Sequence, residues 1–147
     1  MGSLIEKIAL ARDQYNKLLA DAGRESIDEV IREFFQEMRK AAEIQLVLVY
    51  ANSHGETPDP RHIGIRVEFD SGLFYENEEF NAPDSWEESE IADAIEELKD
   101  YSWLDVLYAD LADNLDVVTH VFPDAKRITI ARVFSNQPIV YDVKTEY

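Results

Sequence analysis

The sequence predicts an α+β fold: two N-terminal helices, a mainly antiparallel sheet of five to six strands, and a central acidic helical region between two groups of strands. Three observations lead there. Apolar residues recur at helical spacing across residues 4–38. Alternating or β-branched runs mark residues 46–50, 63–69, 128–134 and 139–143. Hairpin-length links outnumber the long crossovers that parallel strands require. The 147 residues match one domain, read as 1–147, and 46% hydrophobic residues suffice for a real core.

Leu4, Ile8, Ala11, Tyr15, Leu18, Leu19 and Ala22 return to one helical face, and Gly23 follows where a left-handed cap suits glycine. Ser26-Ile27-Asp28-Glu29 has the pattern of a capping box and opens a second helix, expected to run to about Glu43. Its buried stripe is Ile27, Val30, Ile31, Phe34, Phe35 and Met38. Residues 46–50 read as a buried strand, and 52–62, with Gly55, Pro58 and Pro60, as a loop. Ile63, Ile65, Val67 and Phe69 alternate with Gly64, Arg66 and Glu68, the period of a half-buried strand. Asp70-Ser71-Gly72 turns the chain into a short third strand at 73–75.

Ser85-Trp86-Glu87-Glu88 is a further capping-box pattern. The stripe Ile91, Ala94, Ile95 and Leu98 then falls out of phase with Leu104, Leu107, Leu111 and Leu115, so the helix kinks or restarts at Ser102. Residues 117–122, 128–134 and 139–143 are read as strands, the first two joined by the turn Pro123-Asp124-Ala125-Lys126. A likeness between 63–69 and 128–134 raises a duplicated helix–strand–strand unit as a lesser alternative.

Charge is the outlier. Lys plus Arg number 14 against 31 Asp plus Glu, a formal net charge of -17. Fifteen of the acids fall between Glu76 and Asp116 with Lys99 as the only base, so that span carries -14 and the rest of the chain -3. Such a chain is repelled by nucleic acid and anionic membranes and attracted to basic proteins. On a helix, Glu90, Asp93, Glu97 and Asp100 fall at i, i+3, i+7 and i+10, placing neighbouring carboxylates ~5–6 Å apart at Cβ. That approaches the ~3.4 Å axial recurrence of phosphates along a nucleic-acid strand. The bland alternative is a solvated outer face. Trp86 and Trp103 are candidate interface anchors in the same span, whereas Tyr108 is expected in the core.

Other chemistry finds little support. Five glycines supply no phosphate- or dinucleotide-binding fingerprint, and G-x-S-x-G is absent. His54 and His62 bracket the 52–62 loop at no standard metal-ligand spacing, so no metal or cofactor is expected. No run approaches the ~20 apolar residues of a membrane span, and no signal peptide is evident. The lack of cysteine leans towards the cytoplasm.

The expectation is a non-enzymatic inhibitor that covers the basic, nucleic-acid-binding surface of a partner protein, as an immunity protein or a phage-type antagonist of a defence system does. Glu87, Glu90, Asp93, Glu97, Asp100, Trp86 and Trp103 are its candidate partner-binding residues. Two alternatives stand beside it. One is a structural or adaptor domain whose acidity serves solubility, with a homodimer formed through the first helix. The other is a small-ligand binder or enzyme using the 52–62 loop.

Overall fold

The computed structural model describes residues 3–50, 60–134 and 136–146. In chain order the elements are α1 (Leu4–Glu37), β1 (Ala41–Tyr50), β2 (Pro60–Phe69), β3 (Phe74–Glu76), β4 (Glu79–Asn81), α2 (Glu88–Glu97), α3 (Ser102–Ala112), α4 (Leu115–Val121), β5 (Arg127–Ala131) and β6 (Tyr141–Lys144). The strands form one antiparallel sheet in the order β4-β3-β2-β1-β5-β6. The fold is α+β, with helices before and between the strand groups.

The core lies on one face of the sheet. Ile44, Leu46 and Leu48 of β1 sit opposite Val67, Ile65 and Ile63 of β2, and Ile44 and Leu46 sit opposite Ile130 and Ile128 of β5. All are buried. Period-two alternation sends their sequence neighbours Gln45, Arg66, Glu68 and Thr129 to the other face, where they are half-buried. Ile27, Ile31, Phe34 and Phe35 of α1, with Leu104, Leu107 and Leu111 of α3 and Val118 of α4, complete the same apolar cluster. One covered and one polar face is the ordinary economy of an antiparallel sheet.

The N-terminal helices are one. α1 runs unbroken for 34 residues, and the capping box that opens it is Ser3 with Glu6, not Ser26 with Glu29. Gly23 is buried inside the helix rather than capping it. A Cβ there would meet Val117 Cγ1 at 2.7 Å and Val121 Cγ2 at 3.0 Å. Its smallness is used to let α4 approach α1. The helix also ends earlier than expected, because Ala41 to Glu43 already belong to β1.

Residues 117–122, read as a strand, are instead the end of α4 and its C-cap Phe122, with Val117 and Val121 the side chains seated over Gly23. Their β-branching suggests a strand, and tertiary packing overrides that preference. The 128–134 segment therefore pairs with β1 and not with 117–122. The likeness between 63–69 and 128–134 has a simple origin: β2 and β5 flank β1 and fill the same core face. They are not equivalent strands, since β2 closes the unit α1-β1-β2 whereas β5 is the first strand of α4-β5-β6.

The restart at Ser102 is present, with α2 ending at Glu97 and α3 beginning at Ser102. Lys99 takes φ 61 between them, a left-handed conformation that stops α2. The acidic span is less helical than expected: β4, a three-residue strand, precedes α2. β3 and β4 join through Asn77 and Glu78, both at positive φ, the backbone of a two-residue hairpin turn. The 70–72 turn forms as read, with Gly72 at φ 100 and the Trp86 indole 3.3 Å from where a Cβ would stand.

Tyr141 fixes the far edge of the sheet to α1. Its hydroxyl donates to Asp28 Oδ1 at 2.5 Å, and the Arg24 guanidinium lies 4.5 Å from its ring centroid. Burial, then the bond to Asp28, holds the phenol well above its ordinary pKa.

A candidate acidic interface

α2 owes its position to one apolar stripe. Ile91, Ala94, Ile95 and Leu98 pack against the core cluster, which turns the remaining positions outward. Glu87, Glu88, Glu90, Asp93, Glu96 and Glu97 are all exposed. Glu87 is the N-cap residue but its side chain makes no cap bond, so the capping box read at 85–88 does not form.

The carboxylates are not equivalent. Glu88 and Glu90 occupy the first turn, where the positive end of the helix dipole favours them. Glu96 and Glu97 stand in the last turn, where the dipole opposes negative charge, and Asp93 lies mid-helix, where the dipole gives it no support. Glu97 has compensation: Lys40 Nζ lies 3.7 Å from its carboxylate and donates to its carbonyl at 3.5 Å. Among the described residues, no ion pair reaches Asp93 or Glu96.

Asp100 leaves the stripe. α2 has ended before it, and its Oδ1 accepts from the backbone N–H of Ser102 at 3.0 Å. That bond, with a second from the Ser102 side chain, holds its carboxyl below the ordinary value. The structure thus brings Glu90, Asp93 and Glu97 together on α2 and gives Asp100 to the start of α3.

Trp86 and Trp103 are half-buried and pack against the core cluster. Tyr108, expected in the core, is 40% exposed. It stands one turn after the buried Leu104 on α3, at the margin of the helix's packed face. Tyr101 is exposed as well and meets Phe80 edge-on, with ring centroids 5.3 Å apart.

A second acidic feature gathers residues that the linear spacing did not single out. β3 pairs only with Arg66 to Glu68 of β2, so the first half of β2 has no second neighbour among the described strands. Beside it lies a cleft of about 450 Å³ lined by Glu76, Glu78, Asp105, Tyr75, Tyr108 and His62, among others. Burial, followed by Asp105 and then Glu78, pushes the Tyr75 phenol up. Arg66 is engaged within the sheet, 3.1 Å from Glu68 and 2.9 Å from Glu76. No sequence signal joins Glu78 to Asp105, because only the tertiary packing of α3 brings them together.

The 52–62 loop reading falls mostly outside the described residues, including His54, Glu56 and Asp59. His62 is described and exposed. Among the described residues no three His, Asp or Glu side chains converge as a metal site, and no helix is long and apolar enough to cross a membrane. Compared with known proteins, the chain matches no family model, no curated protein and no solved structure.

Proposed function

We propose that this chain is a non-enzymatic, cytoplasmic inhibitor whose acidic surface occupies the basic, nucleic-acid-binding surface of a partner protein. The observation that carries this reading is the placement of Asp93 and Glu96. Both are exposed, beyond the first turn where the dipole would favour them, with no ion pair among the described residues. Acids selected for helix stability belong in that turn. Acids selected for solubility alone tolerate interspersed lysines, and this span holds one. Contacts to Arg and Lys would compensate these carboxylates and steer association electrostatically.

The cleft beside β2 extends the reading, since Glu78 and Asp105 suit an inserted basic side chain, Glu76 being already paired with Arg66. A second reading takes that cleft as a small-ligand site; its volume falls within the range of such pockets. The two are separated by substitution on α2, which the ligand reading leaves without effect.

The test is capture of a basic partner from low-salt lysate by the intact chain, followed by a binding titration with that partner purified. Glu90→Lys, Asp93→Lys and Glu96→Lys together should abolish capture while leaving the thermal midpoint within a few degrees, because all three are exposed. Affinity should fall steeply with salt, and nucleic acid should compete for the partner. Undiminished binding by the triple variant would remove the basis of the proposal. Glu97 and Asp100 are left in place because both make structural contacts.

A further inference from the structure

The beginning of α1 has no packing partner among the described residues. Every residue from Ser3 to Leu18 is exposed. Leu4, Ile5, Ile8, Leu10, Tyr15 and Leu18 are each 50–79% exposed. The buried positions of the helix begin only at Gly23. A solitary helix of this length, roughly 22 Å, is marginal in water, and a contiguous apolar stripe left in solvent marks an interaction surface.

The spacing of that stripe specifies what fits it. Leu4, Ile8, Ala11, Tyr15, Leu18 and Ala22 alternate steps of four and three, the a/d alternation that forms the seam of a coiled coil. The charge specifies it further. Residues 4–22 contain Glu6, Asp13 and Asp21 against Lys7, Arg12 and Lys17, so this segment is neutral in a chain of -17. Two copies approach here without the repulsion they meet elsewhere.

We propose that residues 4–22 of α1 pair with the same residues of a second copy, antiparallel, about a two-fold axis near residue 13. In that register Leu4 lies opposite Ala22, Ile8 opposite Leu18 and Ala11 opposite Tyr15. The flanking positions agree with it. Lys7 meets Asp21 of the second copy twice over and Ile5 meets Leu19 twice over, while Arg12 faces Arg12 once beside the axis, so two attractions stand against one repulsion. A parallel pair would instead set Lys7 against Arg12, like charge on like. The foot of the seam offers space for the incoming end: Leu19 and Ala22 line a cleft of about 420 Å³ between α1 and the α3–α4 corner, where Leu111, Val117 and Val118 form the far wall. Leu4 and Ile5 of the second copy arrive there.

The experiment is sedimentation equilibrium on the full chain at low and high salt. A mass of twice 16.9 kDa is expected at both. Ile8→Glu with Leu18→Glu should give a monomer with unchanged helical circular dichroism apart from fraying of the overhang. Lys7→Asp alone and Asp21→Lys alone should each weaken the dimer by about tenfold, and the two combined should restore it. Under mild oxidation, Leu4→Cys with Ala22→Cys should form covalent dimers cross-linked between positions 4 and 22, in a chain that otherwise has no cysteine. A wild-type monomer at ~100 µM overturns the proposal. So does a dimer that survives the glutamate pair, a charge swap that fails to rescue, links joining 4 to 4, or a monomer that binds lipid vesicles through this stripe. These readouts do not depend on any basic partner, so they stand or fall apart from the inhibitor reading.

Discussion

Gly23 is the residue whose two readings differ most in consequence. As a helix cap it would use glycine's freedom at positive φ; as a crossing point it uses only the missing side chain. The structure shows the second, with Val117 and Val121 already at contact distance. Gly23→Ala should therefore destabilise the chain by up to about 2 kcal/mol, because overpacking of ~1–3 kcal/mol outweighs the ~1 kcal/mol gain in helix propensity. Urea unfolding measures it, and a stabilised variant would mean that α1 and α4 do not approach so closely. Asp100 teaches a related lesson. Spacing alone placed it on the stripe of α2, but an Asp followed by Ser two positions later is also a turn-forming pair, and that local hydrogen bond prevailed.

Elements with strong period were legible. The alternation of β2 is realised residue for residue in burial, and the apolar stripe from Ile27 to Met38 is buried except for the half-buried Val30, since many side chains vote together for one face. Short elements were not. β4 has three residues and two carry no strand preference, and α4 is seven residues rich in valine, held by packing on Gly23 rather than by propensity. The candidate site divides in the same way: exposure of Glu90, Asp93 and Glu97 followed from helical period, whereas the cleft joins residues from a hairpin turn and a helix far apart in sequence. The β1–β2 ladder carries a consequence of its own. Glu43 and Glu68 lie directly opposite each other. Burial, then the hydrogen bond and charge of Glu68, raise Glu43 above its ordinary 4.5, with Gln45 and Arg66 opposing. A carboxyl raised on folding favours the native state when protonated. Its contribution is thus present below 4.5 and lost as pH rises through the raised value. Glu43→Gln should raise the thermal midpoint at pH 7 and leave it nearly unchanged at pH 4. An equal shift at both would show that the pair's repulsion is not felt.

At the scale of the whole molecule, attraction and repulsion among charges are unequally matched. The ion pairs of the described residues are all at least 30% exposed, so each contributes little and screening costs little. The repulsion of a net -17 is long-ranged and is what salt relieves. Raising ionic strength from ~0.02 to ~0.5 M should therefore increase the thermal midpoint by several degrees; a decrease would mean that the ion pairs outweigh the repulsion.

The central strand also sets the order in which the molecule becomes safe. β1 takes β2 as one neighbour almost at once, but its other edge waits for β5: Ile44 faces Ile130, 86 positions later. At ~5–20 residues per second of synthesis, that edge stays open for about 4–17 s on a growing chain. Throughout that interval a buried-type strand presents a bare row of amides and carbonyls beside Ile44, Leu46 and Leu48. Truncation before Arg127 would make the vulnerable state permanent, and such a product should aggregate through β1 rather than persist as a smaller version of the fold.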